Sequence, residues 1–423
     1  MRKKVHSDVF LNVHSLGAGG DGVATHEGVS VYLPKTAPGD RVCARIERFA
    51  EGYQGRVLAI EISSPDRVAA PCRHYESCGG CALQHLSVVA YRDWKAEKVK
   101  VALERAGVIP EVWEEPVFLD AATRRRTTLA VLRTSDQFYM GYHAPRSHQI
   151  TPVSHCLILE PSLDQVVQAM RPFLERLAPL RHAVDVTVQS VEGRFDVLLT
   201  GPWRSGGFFT LEQNEALSEM LNTLGLARIS LREREHGTIE VLLTRQPVMK
   251  TFGVLRVPLP PGAFLQASEQ GEAVLVERVL RYMAGATRIA DLFCGCGTFT
   301  GALLGQEVEV YACDSDAVAL AGLKHPKLTA ARRNLFKEPL SIKELPGFDV
   351  VVLDPPRAGA KEQVEIFAES GVMKIVYVSC NPSTFARDAK ILAVGGYRLL
   401  SLALVDQFVW SAHTEIVGVF TLI

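Results

Sequence analysis

The C-terminal part of the chain constrains the fold most. After "PLPPGAF" a helix pattern from Glu269 to Met283 leads to the strand "TRIADLF", a Gly-rich loop and a helix. Strand followed by helix then recurs through "VEVYACD", "DVVVLDPPR" and "KIVYVSC". Near-continuous apolar strands alternating with helices predict a parallel sheet covered on both faces. In such an open sheet, ligands sit beyond the carboxyl ends of the strands, so the residues where these four strands stop form the candidate site.

Upstream, the pattern differs. Residues 1–62 alternate short β-patterned runs ("VFLNVHSL", "GVSVYLP", "RVCARIERF", "GRVLAIEI") with Gly and Pro-Gly turns, which predicts a small barrel. Cys43 on one of these runs reads as a small buried side chain. A cysteine-rich loop follows at Cys72 to Cys81, then "YRDWKAEKVKVALERAG", apolar at helical spacing and closed by Gly107. From Arg126 to about Pro261 strands dominate, with a helical stretch near Leu163 to Arg176. Residues 63–260 are therefore read as the cysteine loop plus a central α+β domain, and 261–423 as the α/β domain.

Composition narrows the function. A chain of 423 residues that is 47% hydrophobic can hold two or three domains with a large core. No apolar run is long enough to span a bilayer, and "MRKKVHSDVFLNV" lacks the apolar middle of a secretory signal, so the cytoplasm is the expected location. A net charge of −1 gives no whole-protein field for a polyanion. Contact with nucleic acid would rest on local runs such as Arg124, Arg125 and Arg126, or Lys95, Lys98 and Lys100. Nine cysteines are too few for a disulfide scaffold of this length, and their clustering points to metal or catalytic chemistry in a reducing compartment.

The first strand ends at "DLFCGCGT", where Gly295 and Gly297 let the backbone turn tightly and approach a ligand. The second ends at Asp314, whose carboxylate can accept hydrogen bonds from the ribose hydroxyls of a nucleoside cofactor. The third ends at Asp354-Pro355-Pro356-Arg357, a stiff turn without N–H donors at the prolines. The fourth ends at Cys380, where the N-terminal partial charge of the next helix is expected to favour the nucleophilic thiolate. Cys294, Cys296 and Cys313 read as small buried side chains without a catalytic role. Separately, Cys72-x5-Cys78-x2-Cys81 has ligand-like spacing with no fourth cysteine until Cys156. Four thiolates could hold zinc or a four-iron cluster, and His74 or His85 could replace one of them.

"DLFCGCGTF", "LDPPRAG", "VSCNPSTFARD" and the late "HTE", in this order, resemble the S-adenosylmethionine-dependent RNA uracil-5-methyltransferases. The resemblance covers nearly the whole chain. "CRHYESCGGCALQH" with Cys156 resembles the iron–sulfur signature of the ribosomal-RNA branch, and the N-terminal barrel resembles its TRAM domain, an OB-like RNA-binding module. The resemblance implies an α/β fold: a Rossmann-like class I methyltransferase domain with an N-terminal OB-like β-barrel and a central α+β domain. Carried over by motif, Cys380 is the nucleophile and Glu415 the base. Gln266 (in "AFLQAS"), Phe293, Gly295, Gly297, Thr298, Asp314, Asn334 and Asp354 surround S-adenosylmethionine, and Cys72, Cys78, Cys81 and Cys156 hold a 4Fe-4S cluster. The implied partner is RNA, 23S ribosomal RNA first and transfer RNA second, with no membrane and no protein partner. Ser268 stands where the family carries Asn, which puts the contacts to the target base in question.

Uracil C5 is too weakly nucleophilic to take a methyl group directly. A thiolate added at C6 pushes electron density onto C5, and a base must later remove the C5 proton so that the thiolate can leave. The base must be out of any helical stack, so a loop or flipped nucleotide is the expected target. A cytosine-5 enzyme would carry a second cysteine after the third strand's proline, where this chain has Arg357. A non-catalytic RNA-binding iron–sulfur protein would have no need for Cys380, Glu415 and Asp314 together.

Overall fold

The structure, a computed structural model, describes residues 7–49, 52–204, 206–234 and 236–423. The first six residues of the expected barrel thus lie outside the described residues. The chain packs as two compact units. One runs to Val101 and includes His143–His148 and Trp410–His413, and the other holds Ala102–Tyr142, Gln149–Val409 and Thr414–Ile423. The first unit holds both the N-terminal sheet and the cysteine loop.

The first unit is built on a six-stranded sheet. In spatial order the strands are Ser7–Asn12, Arg41–Phe49, Gly52–Ile62, Val29–Leu33, Gly22–His26 and Ser15–Leu16. Alternate residues point inward, and Leu11, Val31, Leu33, Val42, Ala44 and Ile46 form its core. Cys43, on the intervening register, is only half-buried. The helix Val88–Ala106 ends as expected at Gly107, whose φ of 73° is the left-handed conformation of a glycine stop. Two of its three lysines are committed to backbone carbonyls. Lys95 is fully buried with Nζ donating to the His413 carbonyl, and Lys98 Nζ donates to the Ala412 carbonyl. A lysine stem buries readily if its ammonium finds an acceptor, and backbone carbonyls supply it here.

The second unit has two large sheets. The seven-stranded one runs, in order, Ile150–Pro152, Phe138–His143, Arg126–Arg133, Val184–Val191, Arg194–Thr200, Arg228–Arg232 and Glu240–Thr244. Helices Pro161–Ala169, Arg171–Leu177 and Leu211–Thr223 contribute Leu163, Leu174, Leu217 and Met220 to its core. The second sheet carries the strand ends singled out in the sequence. Its main strands are β1 (Arg288–Leu292), β2 (Glu309–Asp314), β3 (Leu328–Arg332), β4 (Val350–Leu353), β5 (Lys374–Ser379), β6 (Tyr397–Asp406) and β7 (Glu415–Leu422). The helices between and before them are α1 (Glu269–Leu280), α2 (Thr298–Leu304), α3 (Ala317–Leu320), α4 (Lys361–Ser370) and α5 (Pro382–Val394).

The order is β3-β2-β1-β4-β5-β7-β6, with the two short strands Val112–Trp113 and Val117–Phe118 added beside β6. Strands β1 to β5 are parallel, and every residue of β4 is buried. One strand departs from the all-parallel expectation. β7 inserts antiparallel between β5 and β6, pairing Ser379 with Ile416. The next residue outward on each strand is Cys380 on one and Glu415 on the other, so the register alone brings them to the same edge. No helix among the described residues is long and apolar enough to cross a membrane.

Candidate active site

At the end of β1 the chain turns through Phe293, whose φ of 63° is unusual for an aromatic residue. Gly295 (φ 53°) and Gly297 (φ 94°) follow, and a Cβ on Gly297 would lie 2.6 Å from Leu323 Cδ2. The positive φ favours glycine at both positions, and at Gly297 a side chain would also crowd Leu323. A Cβ built on Gly295 meets nothing within 4 Å, so the loop faces open space. The Gly295 N–H donates to Asp314 Oδ2 at 3.0 Å and the Asp316 N–H to Asp314 Oδ1 at 2.9 Å, fixing the carboxylate at the end of β2. Thr298 opens α2. Asn334, past β3, uses Oδ1 to accept the Phe336 N–H at 3.1 Å. That turn presents the Phe336 ring, 40% exposed and 5.5 Å from the Phe293 ring. Nothing in the sequence had marked Phe336.

The other half of the edge is acidic and dry. Asp354 Oδ2 accepts from Gln266 Nε2 at 3.1 Å, Gln266 Oε1 accepts from Gln407 Nε2 at 2.8 Å, and the same Nε2 donates to Glu415 Oε2 at 3.0 Å. Gln266, Gln407 and Glu415 are each 3% exposed. Burial raises the Glu415 carboxyl to about 7 against the pull of Gln407, and burial with the neighbouring Glu415 and Asp291 lifts Asp354 well above the carboxylate range. Asp291, buried at the end of β1 with Thr300 Oγ1 donating at 2.5 Å, is likewise raised by burial to about 7. Gln407 is a link that sequence reasoning did not find, since it follows a strand and reads as an ordinary loop polar residue.

Cys380 is half-buried at the end of β5. The expected thiolate is not what its surroundings favour: burial, then Glu415, then Asp354 push the thiol up to about 11, with Arg357 acting in the opposite sense. Two carboxyl groups at close range outweigh the start of α5. Cys296 and Cys313 are raised to about 12 and Cys294 is raised well above the ordinary thiol value, each mainly by burial, consistent with inert packing.

The segment after Cys380 clamps the loop after β4. Asn381 Nδ2 and Thr384 Oγ1 donate to the Arg357 carbonyl at 3.0 and 3.2 Å, and Arg387 Nη2 donates to the Ala358 carbonyl at 2.9 Å. Fully buried Asp388 accepts from the Ala360 N–H at 2.9 Å and from the Tyr377 hydroxyl at 2.7 Å. "SCNPSTFARD" therefore ties together the two turns that carry Asp354 and Cys380.

Two further expectations change. Arg125 is 1% exposed and is no nucleic-acid contact: Nη2 donates to Glu272 Oε2 at 2.6 Å and Nε to the Gln266 carbonyl at 2.9 Å, anchoring the segment that carries Gln266. Ser268 is fully buried and caps α1, its Oγ accepting the Gly271 N–H at 3.0 Å, so it turns away from any target base.

In the cysteine loop the Gly80 N–H points at Cys78 Sγ, 3.3 Å away. Burial raises the Cys78 thiol and nearby Cys72 raises it further, while Lys35 lowers it. Among the described residues no three His, Cys, Asp or Glu side chains are grouped to hold a metal ion, so the geometry adds nothing to the expected cluster. Cys156, in the second unit, has its N–H on Asp164 Oδ1 at 3.0 Å.

Comparison with known proteins fits this edge. The family described as tRNA (Uracil-5-)-methyltransferase matches residues 328–422. An uncharacterised RNA methyltransferase of Caulobacter vibrioides is 39% identical, covering 97% of this chain and 99% of its own, and one of Brucella suis is 38% identical over 97% of each. The crystal structure of the Pyrococcus abyssi tRNA (uracil-54, C5)-methyltransferase with S-adenosyl-L-homocysteine shares the fold at a TM-score of 0.72 and 22% identity, across 98% of this chain and 100% of that one. With relatives this similar along nearly its whole length, the chain belongs to the RNA methyltransferases, and its residues 328–422 match the (uracil-5-)-methyltransferase family within them.

Proposed function

We propose that the chain methylates C5 of a uridine in RNA through a covalent bond between Cys380 and C6 of the base. The observation that carries this reading is the β5–β7 register, which brings Cys380 and Glu415 to one edge beside Asp354. S-adenosylmethionine, when bound, supplies an electrophilic methyl group on a sulfonium centre. The open turn at Gly295 and Gly297, the backbone-held carboxylate of Asp314 and the exposed ring of Phe336 suit an adenosine, and Gln266, Phe293, Thr298, Asn334 and Asp354 complete the set that would hold it.

Cys380 gives its proton to water and its sulfur bonds to C6, so the C5–C6 π electrons move onto C5 and O4; C5 would then take the methyl group, the donor's sulfur keeping the electron pair of the S–CH3 bond that breaks. Once C5 carries both methyl and hydrogen, Glu415 takes that proton, the electrons restore the C5–C6 double bond, and the C6–S bond breaks to return the thiolate. Glu415 must be ionised to do this. Its carboxyl, near 7, is poised for that role around neutral pH. Replacing Glu415 by Gln removes the acceptor and is expected to accumulate a covalent RNA–protein adduct, seen as a denaturant-stable complex carrying one extra methyl. Full turnover by this variant overturns the assignment.

The preferred target is 23S ribosomal RNA, supported by the cysteine-loop spacing and the TRAM-like, OB-like pattern of residues 1–62. A transfer-RNA target is the second reading, favoured by the likeness in fold to an enzyme named for tRNA. Mass-mapping 5-methyluridine in total RNA with and without the gene separates them. A 4Fe-4S cluster at Cys72, Cys78, Cys81 and, as the resemblance adds, Cys156 takes no part in the chemistry above. It is supported by the cysteine spacing alone. Anaerobically purified protein free of iron and acid-labile sulfide would remove it.

A further inference from the structure

Gln407 bonds Glu415 directly and is joined to Asp354 through Gln266, and each of its hydrogen bonds has a single permitted direction. Its Oε1 accepts the Ala267 N–H at 3.1 Å, and a backbone N–H cannot accept, so the amide orientation is fixed. The NH2 group then has two protons for two acceptors, Glu415 Oε2 and Gln266 Oε1. Because Gln266 Oε1 is taken, its Nε2 is what reaches Asp354 Oδ2. The polarity set by one backbone N–H is thus passed through two carboxamides to both carboxyl groups.

Space for this arrangement is reserved. A Cβ on Gly271 would lie 2.6 Å from Gln407 Oε1 and 2.9 Å from Gln407 Cβ, so α1 is open at that position alone where the amide packs. We propose that Gln407 is a positioning residue for proton removal: its NH2 group holds the Glu415 carboxylate in the accepting orientation and, through Gln266, places Asp354 as a separate acid beside it. This rests on Glu415 being the proton acceptor.

The charged and titratable groups around Glu415 come from the neighbouring strand ends, among them buried Asp406 at the end of β6, next to the Val405 that pairs with Glu415. Asp354 follows β4, Cys380 follows β5, Asp291 ends β1 and acts on Asp354, and Arg357 acts on Cys380. Apart from Gln407, the groups bearing on Glu415 are acidic or neutral, so the amide is the contact that favours its ionised form.

Gln407→Met keeps the volume and deletes both donors. With full-length protein, S-adenosylmethionine and a uridine-containing RNA substrate, single-turnover reactions should form the adduct at near wild-type rate but resolve it about tenfold more slowly, the effect expected for one lost hydrogen bond to a charged group. The acidic limb of the resolution rate should move to higher pH, and S-adenosylmethionine affinity should stay within about twofold, a change too small for a lost binding contact. Gln407→Glu is the second variant, isosteric and anionic, and should move that limb further the same way. Adduct resolution and pH profile unchanged in either folded variant overturn the proposal. Glu415→Gln run in parallel tells the two failures apart: if it traps the adduct while Gln407→Met and Gln407→Glu behave as wild type, only the positioning role falls, whereas normal turnover by Glu415→Gln sinks the acceptor assignment itself.

Discussion

The two halves of the strand edge hold their carboxyl groups by different means. Beyond β1 and β2, Asp314 is gripped by backbone N–H groups of Gly295 and Asp316, so its position follows from the path of the main chain. Beyond β4 and β7, Asp354 and Glu415 are held by side-chain amides, one from 88 residues away in sequence and the other from 8. A backbone grip needs only a local turn. An amide grip needs two distant segments to pack first, and it places the acids in a dry pocket where burial raises both. On the proposed function, the first half would serve chiefly to bind the cofactor and the second to move protons and electrons.

The sharpest way to break this contrast is Cys380→Ala. If the halves are functionally separate, methyl transfer should fall by a factor on the order of 10⁴ or more, as for loss of a covalent nucleophile. S-adenosylmethionine binding measured by calorimetry should be unchanged. A Cys380→Ala protein that has lost both would merge the halves into one unit.

The same contrast explains how much of the site could be read in advance. Gly295, Gly297, Asp314, Asp354 and Cys380 all sit where a near-continuous apolar run stops, and the strand–helix alternation told which edge they share. Glu415 needed the family resemblance, because its neighbour Cys380 is set by an antiparallel insertion that no periodicity announces. Gln407 and the anchoring role of Arg125 were invisible: a Gln after a strand and an Arg within a basic run read as solvated, and only the pairing of Arg125 with Glu272, 147 residues on, makes it core. Lys95 misled for the same reason, since its acceptor is a carbonyl 318 residues away. Local patterns fix backbone-made features, and long-range partners decide the rest.

The thiol of Cys380 gives the next largest effect. Burial and the two acids raise it from 9.0 to about 11, and a raised thiol is neutral below that value. At pH 8 its thiolate fraction is about 10⁻³, against about 0.1 for an unshifted thiol, so alkylation of this residue, followed by peptide mass mapping, should be roughly 100-fold slower than for a free cysteine. S-adenosylmethionine brings a cation into the site and should accelerate alkylation at fixed pH, unless it screens the sulfur from the reagent, which thiolate absorbance would distinguish. Rapid alkylation without the cofactor at pH 8 would show that the acidic half does not control the sulfur.

On the binding half, Asp314→Ala leaves two N–H donors without their acceptor and removes the carboxylate from the loop. S-adenosylmethionine affinity should weaken by about tenfold, the scale of one charged hydrogen bond. Adduct resolution at saturating cofactor should keep its wild-type pH dependence, because Asp314 has no bond to Gln266, Gln407 or Glu415 in the chain of amides. A shifted pH profile would mean that the two halves are electrostatically one.

The smallest effect concerns Ser268, on the border of the acidic half. It is fully buried and its Oγ accepts the Gly271 N–H that opens α1, next to the glycine that leaves room for Gln407. As a helix cap it should contribute about 1 kcal/mol, so Ser268→Ala should lower stability by that amount in denaturant unfolding. Its RNA KM should follow the wild type, since the hydroxyl is committed to the backbone. A rise in KM with unchanged stability would return Ser268 to the role of a target contact. It would also mean that the acidic half reaches the RNA directly through α1 rather than through Cys380 alone.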